Sequence, residues 1–121
     1  MQIEETIQKI KSSFLPTSYQ MKLCYDIQQI EKMGISNLVA IILFGSCARN
    51  EMREGSDLDL LIISMEPVAH VIRAELSSDL EEQRDGISSD ILFYTETEFE
   101  KSISLLTKEI KKDGIILWEA H

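Results

Sequence analysis

Cysteine, histidine and basic residues are scarce in this 121-residue chain, and each shortage narrows what the chain can do. Cys24 and Cys47 stand far apart and form no CxxC pattern, and His70 and His121 are isolated. A zinc-type ligand cluster is therefore excluded, and two unpatterned cysteines fit a reducing compartment, so a cytoplasmic location is expected. Only 12 Lys and Arg face 21 Asp and Glu, for a formal net charge of −9. A chain that grips a polynucleotide shows the opposite balance, so neither DNA nor RNA is expected as its primary partner. The acidity serves solubility as readily as the docking of a basic partner. No apolar run is longer than a strand, so no membrane span, signal peptide or lipid anchor is expected. Repeats, linkers and low-complexity segments are also missing. The length suits one domain and leaves little for a second. The expected organisation is a single domain over 1–121, with N-terminal helices in 1–34 and an α/β core in 37–121.

What is present reads as alternating helices and strands. Ile3, Ile7, Ile10 and Phe14 recur at helical spacing, and the helix they predict ends before Pro16. Thr17 or Ser18 then caps a second helix with the stripe Leu23, Ile27 and Ile30, stopped by Gly34. Leu38 to Phe44 is nearly unbroken apolar sequence, the pattern of a strand covered on both faces. Pro67 opens a helix carrying Val68, Ile72, Leu76 and Leu80, on which His70 is read as structural because no partner accompanies it. Asp85-Gly86 turns the chain into a strand from Ile87 to Tyr94, and one long helix is expected from Glu96 to Lys112, with Phe99, Ile103, Leu106 and Ile110 as its stripe. Gly114 ends it before a short strand, Ile115 to Trp118. Cys24 is expected in the core and Cys47 as a small residue near a turn.

The chemistry concentrates between Phe44 and Ile63. Gly45 reaches backbone angles closed to other residues and leaves room for a ligand, Ser46 adds a hydroxyl, and a short helix over Ser46 to Glu51 would point free N–H groups at an anion. The strand from Asp57 to Ile63 has a period of two, which puts Asp57, Asp59, Leu61 and Ile63 on one face. Two carboxylates this close, on an otherwise apolar strand, repel one another unless a cation lies between them, and Mg²⁺ prefers such hard oxygen ligands. A Gly-Ser turn or an Asp-x-Asp pair alone is commonplace; the order and the strand context give them meaning. Alternation along Ile87 to Tyr94 places Asp90, Leu92 and Tyr94 on one face, and a carboxylate in mid-strand needs a partner.

The segment GSCARNEMREGSDLDL resembles the signature GSxARGxxxxxSDxDL of the DNA polymerase β-like nucleotidyltransferase superfamily, most closely its minimal nucleotidyltransferase branch. Gly45, Ser46, Ala48, Arg49, Ser56, Asp57, Asp59 and Leu60 match with unchanged spacing. Asn50 stands where that family has Gly, and Asn is the residue that best tolerates the left-handed backbone a glycine would adopt.

The resemblance implies an α/β nucleotidyltransferase fold, a mixed β-sheet flanked by helices. It implies Asp57 and Asp59 as catalytic and metal-binding residues, with a third carboxylate from a neighbouring strand that Asp90 matches; Asp85 beside Gly86 is explained by the turn. Gly45, Ser46 and Arg49 would bind the nucleotide, Arg49 either at the leaving pyrophosphate or bracing the carboxylates. The implied cofactors are Mg²⁺ in a two-metal site and ATP as donor. Stand-alone members of the branch resemble the antitoxin half of HEPN/MNT toxin–antitoxin pairs, in which AMP is added to a tyrosine of a HEPN ribonuclease. A HEPN-type toxin is therefore the expected partner, with a homo-oligomer left open. A small-molecule nucleotidyltransferase and a non-catalytic partner-binding module of the same fold are the alternatives.

Overall fold

The two most apolar stretches become the central strands of one sheet. In the computed structural model, which describes residues 1–121, β1 is Leu38–Phe44, β2 Leu58–Ser64, β3 Ser89–Thr95 and β4 Ile115–Glu119. The strand order is β3-β2-β1-β4. β1 runs antiparallel to β2 and to β4, while β2 and β3 are parallel, so the sheet is mixed as expected. The helices are α1 (Glu4–Lys11), α2 (Thr17–Met33), α3 (Gly45–Ala48), α4 (His70–Glu81), α5 (Glu96–Lys101) and α6 (Leu105–Asp113). A parallel pair needs a long crossover, and α4 supplies it between β2 and β3.

The two sides of the sheet are covered unequally. Ile41, Leu43, Leu58, Leu60, Ile62 and Ile91 pack against Ile10 of α1, Leu23, Ile27 and Ile30 of α2, and Leu76 and Leu80 of α4, in a cluster of 18 buried residues. The opposite side holds only 6, namely Ala40, Ile42, Phe44, Leu61 and Ile63 with Ile110 of α6. Most of the hydrophobic driving force, about 1.5–3 kcal/mol for each large side chain buried, thus lies on the α1–α2–α4 side. The thinly covered side is left to carry chemistry.

Several boundaries differ from expectation. α1 stops at Lys11, and Phe14 is 49% exposed while Leu15 enters the core. The Ser13 hydroxyl donates to the Ile10 carbonyl at 2.6 Å and accepts from the Leu15 N–H, which ends the helix early. Neither Thr17 nor Ser18 caps α2: extended Pro16 is the N-cap residue and makes no side-chain bond. The Gln20 amide instead ties the connection by donating to the Ser13 and Leu15 carbonyls. Gly34 does stop α2, at φ 61°. Pro67 does not open α4, which begins at His70 after Ala69 at ψ 140°, and Val68 in the intervening segment is buried. His70 is exposed at that first position.

The long C-terminal helix is two helices. Ser102 is extended, Ser104 caps α6 by accepting from the Thr107 N–H at 3.2 Å, and the hydroxyls of Ser102, Ser104 and Thr107 bond to one another. Serine side chains compete for backbone groups in this way and favour caps over helix interiors. The expected stripe is accordingly broken: Ile110 is buried, but Ile103 is 84% exposed. Gly114 follows α6 in an ordinary conformation, and a Cβ there would come 2.5 Å from the Ile110 carbonyl oxygen and 2.7 Å from Ile42 Cγ2. Close packing, not backbone freedom, requires glycine at that position.

Candidate active site

The site is built where β1 ends. Phe44 hands over to Gly45 at φ 75°, and α3 occupies only Gly45–Ala48, so it starts one residue earlier and ends sooner than expected. The turn closes through Glu51 N–H to the Ser46 carbonyl at 2.8 Å, with Asn50 left-handed at φ 56° as its substitution for glycine requires. The chain returns through a turn at Arg53 to Ser56, where the Arg53 N–H donates to the Ser56 hydroxyl at 2.8 Å. The ladder with β3 starts at the Leu58–Ser89 pair, which leaves Asp57 one residue before β2 instead of inside it.

Strand register brings Asp59 and Asp90 together. Asp59 lies opposite Phe44 on one side and opposite Asp90 on the other, on the thinly covered face. A Cβ on Gly45 would overlap Asp59 Oδ2, so glycine is demanded there by both backbone angle and contact. Asp57 and Asp90 are exposed and Asp59 is half-buried. Burial first, then the neighbouring charges of Asp90 and Asp57, push the Asp59 carboxyl up to about 6, with Arg49 offsetting part of the rise. Arg49 is itself exposed, and its Nε donates to Glu51 Oε1 at 2.6 Å. It therefore reaches the Asp59 field without a direct ion pair.

Mutually repelling hard-oxygen donors of this kind suit a divalent cation. No three His, Cys, Asp or Glu side chains converge into a ready-made cage. Mg²⁺ does not require one, since one or two carboxylates plus substrate phosphates hold it. The donor set therefore fits the ion.

Other residues hold this framework, and of these the sequence names only Cys47, expected as a small residue near the turn. Cys47, fully buried, donates its thiol to the Asp57 carbonyl at 3.3 Å, and burial with the Asp59 and Asp57 charges pushes that thiol up to about 11. Tyr19 donates its hydroxyl to the Ser56 carbonyl at 2.8 Å. Lys22 and Asp26 form a buried ion pair at 2.5 Å beside Ser89. The only sequence signal for the pair is an i, i+4 Lys-Asp spacing next to the apolar stripe of α2, which surface pairs share. A cavity of about 610 Å³ is lined by Thr6, Trp118 and His121 among others. It lies between α1 and β4, and no residue of this site lines it.

Comparison with known proteins agrees with this fold. Residues 25–121 match the family described as polymerase beta, nucleotidyltransferase. No curated protein matches the sequence. Among solved structures, a toxin–antitoxin with AMP-PNP superposes with a TM-score of 0.60 at 22% identity, covering 80% of this chain and 73% of that one. A tri-AMPylated HEPN toxin in complex with its MNT antitoxin, from Shewanella oneidensis, gives 0.55 at 20% identity, covering 83% and 74%. A candidate minimal nucleotidyltransferase gives 0.53 at 24% identity, covering 86% and 98%. At these identities the likeness is one of fold. No helix is long and apolar enough to cross a membrane.

Proposed function

We propose, since this chain belongs to the polymerase β nucleotidyltransferase family, that it transfers AMP from ATP to a hydroxyl of a protein acceptor. The observation that carries the reading is the Asp59–Asp90 register pair set against the Gly45 turn. The acceptor we favour is a tyrosine of a HEPN ribonuclease toxin, which the modification silences, making this chain its antitoxin. Support comes from the folds that resemble it, one holding AMP-PNP and one an AMPylated HEPN toxin. The net charge of −9 speaks for a protein acceptor over a polynucleotide. Dependence on ATP as the donor supports a cytoplasmic location for this reaction.

Asp57, Asp59 and Asp90 would hold two Mg²⁺ ions, which supply charge neutralisation for the triphosphate and lower the pKa of an acceptor hydroxyl. Gly45 leaves room for the phosphates beside the Asp59 carboxylate, and the Ser46 hydroxyl and N–H hydrogen-bond them. Arg49, free to leave Glu51 at the surface, adds positive charge to the departing pyrophosphate. Asp90, exposed at the start of an edge strand, faces an incoming acceptor and takes its proton. The acceptor oxygen bonds to the α-phosphorus, the bond from that phosphorus to the bridging oxygen breaks, and pyrophosphate leaves.

The test is the intact mass of a HEPN toxin after incubation with this chain, ATP and Mg²⁺, beside an Asp57→Asn control. Mass increments of one or more AMP units that disappear in the control are expected. An unshifted toxin in the presence of folded, ATP-binding protein would overturn the reading.

A further inference from the structure

Helix α2 carries Tyr19, Lys22 and Asp26 at i, i+3 and i+7, on one side of the helix. Each reaches a residue that immediately precedes a site carboxylate. The Tyr19 hydroxyl donates to the carbonyl of Ser56, the residue before Asp57, at 2.8 Å. The Lys22 ammonium donates to Asp26 Oδ1 at 2.5 Å, to the Leu80 carbonyl at 2.9 Å and to the hydroxyl of Ser89, the residue before Asp90, at 2.8 Å. The Ser89 hydroxyl in turn donates to Asp26 Oδ2. All three Lys22 protons are thereby used, and no buried side-chain polar atom in the protein lacks a partner.

These groups are out of water: Lys22 is 3% exposed, and Asp26 and Ser89 are fully buried. Apolar side chains of similar size would fill the same space without the desolvation that a buried ion pair suffers. Packing alone does not account for them. The sheet, however, leaves the two carboxylates poorly held. Asp57 lies outside the ladder, and Asp90 stands at the start of an edge strand paired on one side only. Between the two strand starts, the Leu58 N–H donates to the Ser88 carbonyl at 2.9 Å.

We propose that Tyr19, Lys22, Asp26 and Ser89 are positioning residues, through which α2 sets the separation of Asp57 from Asp90 by fixing the backbone one residue ahead of each. The proposal rests on reading the carboxylates as a cation-dependent transfer site. It matters because misplacement of a reacting group by about 1 Å costs on the order of 100-fold in rate. Three carboxylates that repel each other would otherwise relax outward.

Two variants of the full chain test it. Tyr19→Phe removes one hydroxyl and keeps the ring. Lys22→Met with Asp26→Leu and Ser89→Ala replaces the whole polar cluster by apolar groups, a change that buried ion pairs often tolerate in stability. Three readouts are taken: Mn²⁺ affinity by electron paramagnetic resonance, hydrogen exchange of the Leu58 amide, and steady-state kcat and KM for ATP. Both variants are expected to melt cooperatively, to bind Mn²⁺ about tenfold more weakly, as for other residues that orient metal ligands, and to exchange Leu58 faster. kcat is expected to fall with KM for ATP little changed. Folded variants with wild-type Mn²⁺ affinity and wild-type Leu58 exchange would overturn the proposal. Should the triple variant fail to fold, Tyr19→Phe decides by the same readouts. A wild type that binds Mn²⁺ but transfers no AMP refutes the proposed function, while affinity and exchange still judge the positioning role. A wild type that binds no Mn²⁺ refutes the cation site, and Leu58 exchange then decides alone.

Discussion

Gly45 and Asp59 stand so close that a single methyl group on the glycine would overlap the carboxylate. The turn after β1 and the start of β2 are therefore one unit, and the glycine of the motif shapes the acid of the motif.

Gly45→Ala meets two penalties, a left-handed backbone at φ 75° and the overlap with Asp59. Gly55→Ala meets only the first, since Gly55 at φ 84° has nothing within 4 Å of its would-be Cβ. Gly55→Ala is expected to lose about 1–3 kcal/mol of stability in urea titration, the usual cost of such a backbone. Gly45→Ala should lose more, and it alone should weaken Mn²⁺ binding. Equal losses would mean that Asp59 moves aside freely.

The Asp59 carboxyl, pushed up to about 6 by burial, Asp90 and Asp57, sets a pH dependence with a definite sign. Its folded pKa lies above the unfolded value of about 3.8, so between these limits the folded protein binds more protons, and stability falls as pH rises. Buried Asp26, also pushed up to about 6, acts in the same direction. Without divalent cations, Asp59→Asn should therefore melt higher than wild type near pH 7, by a margin that shrinks as pH is lowered toward 4. Saturating Mg²⁺ should reverse the order near pH 7. Melting curves across this range that stay parallel would contradict the assignment.

Cys47 should be chemically inert in the folded state. It is fully buried, its pKa is raised to about 11, and its proton is committed to the Asp57 carbonyl. The thiolate is the reactive form, so aromatic disulfide reagents should label Cys24, which is only partly buried, well before Cys47. Peptide mapping after timed labelling checks the order, and early modification of Cys47 would show that the turn opens.

Ser104→Ala removes the cap of α6 and one member of the hydroxyl group that separates it from α5. The expected loss is about 0.5–2 kcal/mol by chemical denaturation, the range for such caps. No loss would mean that the Gly114 end and Ile110 alone hold α6.

Much of this protein is visible in its residue pattern. The run Leu38 to Phe44 maps onto β1 residue for residue, because a strand covered on both faces must be apolar throughout. Alternation assigns Asp90, Leu92 and Tyr94 to one side of β3 and Ser89 and Ile91 to the other, because the pleat leaves no choice. The break at Ser102 to Ser104 was not visible as periodicity, because apolar spacing runs on through it while hydroxyls stop the helix locally.

The sequence by itself determined the local parts: the strands, the left-handed positions at Gly45 and Asn50, and the order of acids, since these depend on side-chain size, backbone freedom and a period of two. Tertiary structure alone decided what those parts meet. That Asp59 faces Asp90 follows from β2 and β3 pairing in parallel, with Leu58 against Ser89. That Lys22 and Asp26 lie dry beneath Asp90 follows from α2 packing under that pair. On a single helix, a buried Lys-Asp pair and a solvated one are spelled identically. The difference is the water removed by residues more than fifty positions away, such as Leu80, whose carbonyl accepts from Lys22 at a sequence separation of 58.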